Sequence, residues 1–270
     1  MNLWIPLMLG TAAAATIFFL GWAWARKLDN YSLVDVLWAY GIGLVSLSWL
    51  LCCGDGSAKH WLAGMIVALW SLRLGWHLHR RVAKAHPHED TRYVKLREVW
   101  HGRVNSSFFW FFQAQAVSVV VLALPFLLIA SDPDNTWGVW ELLGLSVSLI
   151  GIAGETLADA QMTRFKSKHH EATAVCRDGL WRYSRHPNYF FEAVIWTGFY
   201  LFCCGSQWGW LMIHSPATIV YLLLKVTGIP PTEAAAVLRK GNGYRQYQQS
   251  TSAFVPWPPR KLETNHTNKS

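Results

Sequence analysis

The stretch Arg177–Tyr189 reads Arg-Asp-Gly-Leu-Trp-Arg-Tyr-Ser-Arg-His-Pro-Asn-Tyr and is followed closely by Glu192. Gly179 permits a tight turn, and Pro187, with no N–H to satisfy, suits the first turn of a helix. Asn188 and Glu192, four residues apart, then share that helix's inward face. A helix start with Arg182, Arg185 and His186 around it can hold a phosphate or a carboxylate through N–H groups and fork-like guanidinium contacts. Trp181, Tyr183 and Tyr189 add flat surfaces for a planar ring. The alternative is an interfacial loop with aromatic anchors and topology-setting charges, which accounts for the Arg and Trp residues but not for Asn188 and Glu192.

Other polar residues interrupt apolar stretches, where a charge at mid-membrane costs at least about 2.5 to 3.5 kcal/mol and asks for a reason. Asp35 opens one such stretch, Arg73 and His77 lie one helical turn apart in another, and Gln113 and Gln115 fall in a third. Glu155 and Asp159 stand at i and i+4 and therefore on one helix face. Snorkelling or pairing near a helix end is the alternative for Glu155, Asp159 and Glu192. Their concentration at the ends of adjacent helices, beside two basic loops, favours a shared polar pocket. The pairs His77/His79, His86/His88 and His169/His170 could bind metal, but a proline separates the best pair and no partner motif accompanies it, so no metal site is expected.

The elements that carry these groups must cross a membrane. The 270 residues are 52% hydrophobic, 14% aromatic and 15% charged, against roughly 25% charged residues in soluble domains. That balance excludes an ordinary soluble, disordered or collagen-like chain. A bilayer core about 30 Å thick needs roughly 20 apolar residues per helix. Stretches of that kind run from Trp4 to Ala25, Leu33 to Cys53, Trp61 to His79, Phe108 to Ala130, Trp137 to Ala158, Phe190 to Cys204 and Trp208 to Lys225. The last two, joined by Gly205-Ser206-Gln207, could form a tight hairpin or one re-entrant unit. The expected fold class is thus an all-α integral membrane protein, a bundle of about seven transmembrane helices. Every Lys and Arg except Lys59 and Arg73 falls in an odd-numbered loop or the C-terminal part, which places the N-terminus outside and the C-terminus in the cytoplasm. The first apolar run is followed, not preceded, by positive charge, so it is expected to stay as an anchor.

Several function classes drop out. The net charge of +8 reads as a basic cytoplasmic face for topology and for an anionic ligand, with no nucleic-acid partner. Gly41-Ile42-Gly43 and Gly241-Asn242-Gly243 lack the third glycine and the strand-to-helix setting of a dinucleotide fold, and there is no phosphate-binding Gly-Lys-Ser/Thr. Five cysteines show no metal or disulfide spacing. Cys52-Cys53 and Cys203-Cys204, near the expected outer ends of their spans, could pair in an oxidising compartment, but packing is the expected role. Sequons at Asn105, Asn265 and Asn268 fall on the cytoplasmic side and should stay unmodified.

Three groups of residues carry a resemblance. Asp159-Ala160-Gln161 to Phe165-Lys166, the Gly179–Tyr189 segment with Glu192, and the tail from Glu233 through Tyr244 and Tyr247 to Phe254-Val255-Pro256-Trp257 resemble the steroid 5-alpha reductase superfamily. With Val34–Trp38 and Glu89–Tyr93 they look more closely like its bacterial-type branch of short multi-span proteins. Isoprenylcysteine carboxyl methyltransferases share a similar Arg-His-Pro-x-Tyr segment and a similar Glu-to-Tyr-x-x-Tyr tail. The resemblance implies a seven-helix fold whose C-terminal half encloses NADPH, used to reduce a carbon–carbon double bond conjugated to a carbonyl. It also implies that Asp159, Lys166, Arg182, Tyr183, Asn188, Tyr189 and Glu192 line the cofactor pocket, with Glu233, Tyr244 and Tyr247 closing it from the tail. His186 stands where the methyltransferases have it and the steroid reductases generally do not, which keeps S-adenosylmethionine open as the alternative cofactor. The Gln-Glu pair on the second helix of the steroid reductases is absent, and Asp35 is the one acid in a comparable place.

The expected organisation is an N-terminal transmembrane half on the substrate side, residues 1–130, a C-terminal cofactor-binding half, residues 131–258, and a flexible tail, residues 259–270. Reduction of an activated alkene needs a hydride donor, a group that stabilises charge on the carbonyl oxygen, and exclusion of water. Tyr93, whose phenol donates without carrying charge, and Asp35, as an acid, are the expected catalytic residues. Glu89, Asp90 and Arg92 could equally be an ion-paired turn. A lipophilic substrate can enter from the bilayer, so a sterol-like, quinone-like or isoprenoid enone is the expected class, with membrane lipids the only other partner. The reading is an NADPH-dependent oxidoreductase of a bacterial inner membrane, its active site open to the cytoplasm. The alternatives are a methyltransferase acting on a lipophilic acid or thiol, and a non-catalytic membrane or transport protein.

Overall fold

A computed structural model describes residues 3–134 and 136–260. The basic residues Lys261 and Lys269, the sequons at Asn265 and Asn268 and most of the expected flexible tail lie outside the described residues. The described chain is helical: α1 (Trp4–Lys27), α2 (Leu33–Cys53), α3 (Ala58–Ala85), α4 (Thr91–Val99), α5 (Val104–Ser131), α6 (Val139–Lys168), α7 (Pro187–Cys203), α8 (His214–Tyr221), α9 (Ile229–Lys240) and α10 (Asn242–Ser250). Short 3-10 turns cover Gly179–Arg182 and Gly209–Ile213, and a π turn covers Leu222–Val226.

Five helical stretches among the described residues are long and apolar enough to cross a membrane: Trp4–Lys27, Leu33–Cys53, Val104–Ser131, Val139–Lys168 and Gly209–Lys240. The other two stretches expected to cross are also helical, but differ in kind. α3 carries Lys59, Arg73 and a His/Arg-rich last third that dilute its apolar character, and α7 has only 17 residues, about 25 Å at 1.5 Å per residue. Two further boundaries moved. α6 runs to Lys168 rather than ending near Ala158, so Arg164, Lys166 and Lys168 ride on a helix. The stretch from Trp208 to Lys225 is not one α-helix but passes from 3-10 to α to π geometry before α9.

The chain divides into two compact units, Met1–Ser146 with Phe199–Ser215, and Val147–Gly198 with Pro216–Ser270, so the division cuts through α6 and α7. In the first unit α2 packs against α1, α3 and α5, and α1 packs on α5. Small residues set the approach, as membrane helices require when no hydrophobic gradient pulls them together. A Cβ at Gly43 would lie 2.2 Å from Ser71 Oγ, and one at Gly75 2.4 Å from the Tyr40 ring. Polar bonds reinforce the contacts: Ser71 Oγ donates to Ala39 O at 2.9 Å, Trp38 Nε1 to Ser118 Oγ at 3.1 Å and Trp49 Nε1 to Pro6 O at 2.8 Å. Lys59, fully buried, is held by Asp132 at 3.1 Å and Glu141 at 3.0 Å, tying the starts of α3 and α6 to the end of α5.

In the second unit α6 and α7 pack closely at Gly151 and Gly154, where added Cβ atoms would lie 2.6 Å from Ile195 and 2.3 Å from Phe191. Gly179, with φ +58°, turns the chain against Gln161, whose Oε1 accepts from Leu180 N at 2.9 Å. Trp181 Nε1 donates to Ala158 O at 2.9 Å, which fixes the turn onto α6. Tyr247 of α10 donates to the carbonyls of Trp181 and Ser184, and the strap after α10 pairs Ser252 with Ser184.

Candidate functional site

The first unit gathers its acid–base groups at the start of α2. Asp90 caps α4, its Oδ1 accepting from Arg92 N at 3.0 Å, and its own N donates to Ser32 Oγ at 2.9 Å. That cap aims α4 so that Tyr93 OH donates to Asp35 Oδ1 at 2.6 Å. The other oxygen, Oδ2, accepts from Arg92 Nη2 at 2.7 Å and Arg81 Nη2 at 2.8 Å. Tyr93 is 4% exposed and packs edge-on against Phe111 at 6.1 Å. Burial first, and then the Asp35 carboxylate beside it, push its phenol well above the ordinary 10.0, so the proton stays on oxygen across the working range of any enzyme. For Asp90, burial works against ionisation, but the bonds and charge of Arg92 and then Arg81 hold it below the ordinary 3.8.

A second ion-paired group braces this one. Arg97 Nε lies 2.6 Å from Glu89 Oε2, its guanidinium stacks over Tyr31 at 4.8 Å, and Tyr31 N donates to Glu89 Oε1 at 2.5 Å. The loop carrying Glu89 and Asp90 is therefore locked to the loop that precedes α2. Glu89, Asp90 and Arg92 thus form the ion-paired turn, which orders the loop that leads into α4 and Tyr93.

The second unit builds its centre on the N-terminal end of α7. Arg185 Nε lies 2.6 Å from Glu233 Oε1, while its Nη1 donates to the carbonyls of Gln248, at 2.9 Å, and Thr251, at 2.5 Å. His186, buried, sits 3.3 Å from the same Glu233 oxygen and stacks on Tyr189 at 5.2 Å with planes 5° apart. Gln248 Nε2 donates to Glu233 Oε2 at 2.8 Å, and Tyr189 OH lies 3.3 Å from Thr232 Oγ1. The carboxylate that Arg185 and His186 hold is thus the chain's own Glu233. Tyr244 and Tyr247 are buried in one edge-to-face pair at 5.8 Å, and burial pushes both phenols up.

The structure brings Asp35 and Tyr93 together, and separately His186, Tyr189 and Glu233. Tyr247 joins the turn at Trp181–Ser184, and Tyr244 packs against the Tyr247 ring. Glu192 is buried one turn into α7 and accepts from Trp196 Nε1 at 2.9 Å. Asp159 is half-buried on α6, whereas Lys166, Arg182 and Tyr183 are exposed. Arg81, Thr232 and Gln248 were not singled out by sequence reasoning. Arg81 was counted as a topology charge, and Gln248 lies among ordinary polar residues of an amphipathic helix. All five cysteines are free, and no group of His, Cys, Asp or Glu among the described residues is arranged to hold a metal.

These residues suit a nucleotide. Asn188 Oδ1 is buried with no hydrogen-bond partner among the described residues, an acceptor that a carboxamide or adenine N–H would satisfy. The exposed cations Lys166 and Arg182 suit its phosphates.

Comparison with known proteins adds a frame. Residues 21–251 match the family described as "Protein of unknown function (DUF1295)", which is associated with steroid 5-alpha reductase-like membrane proteins. An "Uncharacterized protein C594.04c" of Schizosaccharomyces pombe is 26% identical over 221 residues, covering 73% of this chain. The chain spans 64% of that relative's length.

Proposed function

This chain belongs to the family that matches residues 21–251, and we propose that it is a membrane-embedded reductase that uses NADPH to reduce the activated C=C bond of a lipophilic enone. The observation that carries this reading is the buried Tyr93 phenol, held 2.6 Å from an Asp35 carboxylate that Arg81 and Arg92 clamp in place. When bound, the reduced nicotinamide supplies the hydride. Tyr93 supplies the donor that meets charge growing on the substrate's carbonyl oxygen, and the proton that the α-carbon gains to complete the saturated product comes from water. Its O–H turns about the C–O bond from Asp35 to the substrate oxygen, and Asp35 keeps its two guanidinium partners while it does so. Asp35 is on this view a positioning residue for Tyr93 and accepts rather than donates. Asn188 and Glu192 orient the nucleotide, and the Arg185–Glu233–His186 node holds the strap against the start of α7.

The same reading takes all seven apolar stretches as crossings, with the basic loops and the nucleotide site in the cytoplasm. Support for α3 comes from its exposed stripe of Trp61, Met65, Leu69, Leu72 and Trp76, which recurs every three or four residues as a lipid-facing surface does. Cysteines introduced at Ser57 and Asp134 should be labelled from outside, and those at Lys95 and Lys168 should not.

The deciding experiment follows NADPH oxidation by purified protein in a neutral detergent, offered sterol-like, quinone-like and isoprenoid enones. Consumption of NADPH with a saturated product upholds the reading. Binding of S-adenosylmethionine with no response to NADPH would replace reduction by methyl transfer, and silence with both would remove catalysis.

A further inference from the structure

Two cations of the second unit stand on one buried aromatic pair. The Arg177 guanidinium lies 5.6 Å from the Tyr247 ring centroid and donates from Nη2 to Gly243 O at 2.8 Å. The Lys240 ammonium lies 5.9 Å from the Tyr244 centroid, and the two rings meet edge to face at 5.8 Å. Tyr244 and Tyr247 are 5% and 2% exposed, so the platform beneath both cations is fixed. Arg239 and Lys166 both lie within electrostatic reach of Lys240 and repel it, while the nearby Cys176 is a buried thiol that burial keeps neutral, so it offsets none of this charge. Asp178 lies beside Cys176 and is itself exposed, so it offsets only part of the positive charge.

Helix ends explain some of this. Arg239 and Lys240 occupy the last turn of α9, and Lys166 that of α6, where cations are favoured by the helix dipole. A dipole satisfies each helix by itself, however, and gives no reason for two such ends to bring like charges to one place. Cations already held on aromatic rings and a backbone carbonyl can bind an anion with little further loss of side-chain freedom. A phosphate monoester, with two charges and three acceptor oxygens, matches that surplus better than a carboxylate does.

We propose that Lys240 and Arg177 form a phosphate-monoester site on the second unit, and that its occupant is the ribose 2′-phosphate that distinguishes NADPH from NADH. The choice of occupant rests on the reductase reading, whereas the phosphate chemistry does not, and an anionic lipid headgroup is the other source of the same group. Lys240 is the best residue to test, because Arg177 also holds the backbone at Gly243.

The experiment measures binding of NADPH and NADH to the full chain in a neutral detergent, for the parent, Lys240→Gln and Lys240→Arg. Thermal melting of each variant reports folding. The expected result is a tenfold or greater weakening of NADPH by Lys240→Gln, less than twofold for NADH, and recovery of most NADPH affinity in Lys240→Arg. Equal weakening of both nucleotides, or no weakening of either, would overturn the proposal. If the parent binds neither nucleotide, the reductase reading fails and the site is read with dioctanoyl phosphatidic acid against dioctanoyl phosphatidylcholine. Phosphatidic acid bound by the parent and lost in Lys240→Gln assigns the phosphate to a lipid, and no preference over phosphatidylcholine overturns the site itself.

Discussion

The two units use the same kinds of ion pair to opposite ends. In the first, Arg81, Arg92 and Asp90 surround Asp35, and the product of that crowding is one uncharged donor, the Tyr93 phenol. In the second, Arg185, His186 and Gln248 converge on Glu233, and the product is mechanical: α9, α10 and the strap are fastened to the start of α7. On the proposed reading, ligand binding in the second unit is left to groups outside that node, namely the Asn188 oxygen, which has no partner among the described residues, and the exposed cations. On that reading, what separates the two clusters is that the first presents a titratable group outside its own ion pairs and the second does not.

The sharpest way to break this contrast is to remove the two delivered functions. Tyr93→Phe keeps the ring and its packing on Phe111 but deletes the proton donor, and general-acid assistance is typically worth about 10²- to 10⁴-fold. We expect turnover of an enone to fall by that order with NADPH binding unchanged. A loss confined to binding would move Tyr93 out of the chemistry. Glu233→Ala should do the reverse, sparing the reacting groups and loosening the fold. Arg185 would be left buried without its carboxylate, at a cost of about 3 to 5 kcal/mol. Denaturation of Glu233→Ala alongside Arg185→Met/Glu233→Leu checks this: the double variant should regain much of the loss, and an undisturbed single variant would show that the node fastens nothing.

What could be read from the chain follows the same division. Helix positions were legible because apolar length is a strong local signal, and α2 begins and ends where the residues predict. The pairing of Asp35 with Tyr93 was reachable because few acids occur in apolar stretches. Arg185 was legible as a carboxylate or phosphate holder, but which carboxylate it holds depends on α9 packing beside α7, a relation 48 residues long that spacing does not encode. Lys59 stands out in the sequence only as an exception to the charge pattern of the loops, yet it is fully buried between Asp132 and Glu141. Its partners lie on other helices, and a lysine at a helix start looks the same whether it faces water or two acids. The extension of α6 to Lys168 was missed because its last turns are polar, and an apolar count stops where the membrane does.

Alkaline pH gives a smaller and shared effect. Tyr93, Tyr244 and Tyr247 all have phenols pushed above the ordinary 10.0, by burial first in each case. Their neutral forms are favoured by the fold, so this contribution to stability is complete below pH 10.0 and is lost as pH rises from there towards the folded values. Each buried phenol should cost the folded state about 1.4 kcal/mol per pH unit in that window. Melting curves between pH 9 and 11.5 should show the decline, and Tyr93→Phe should lessen its slope by one proton's worth. A slope unchanged by that substitution would mean the phenol already ionises in the folded chain.

The smallest effect falls on Asp90, which serves α4 in two separable ways. Its Oδ1 caps the helix through Arg92 N, and its Oδ2 lies 3.0 Å from Arg92 Nη2 and 3.6 Å from Arg81 Nη2. Asp90→Asn keeps the cap and loses the charge, while Asp90→Ala loses both, so the difference isolates the cap at about 1 kcal/mol. The charge is worth less, because the guanidiniums are partly in solvent and keep Asp35 as a partner. Since the Asp90 carboxyl is held below the ordinary 3.8, its contribution is present above that value and fades as pH falls through the lower folded one. At neutral pH both variants should fold, and only Asp90→Ala should lower turnover measurably, by letting α4 fray and Tyr93 drift from Asp35. Equal turnover in the two variants would mean that Arg92 and Arg81 aim α4 without the cap, and that the ion pairs, not the helix start, present the phenol.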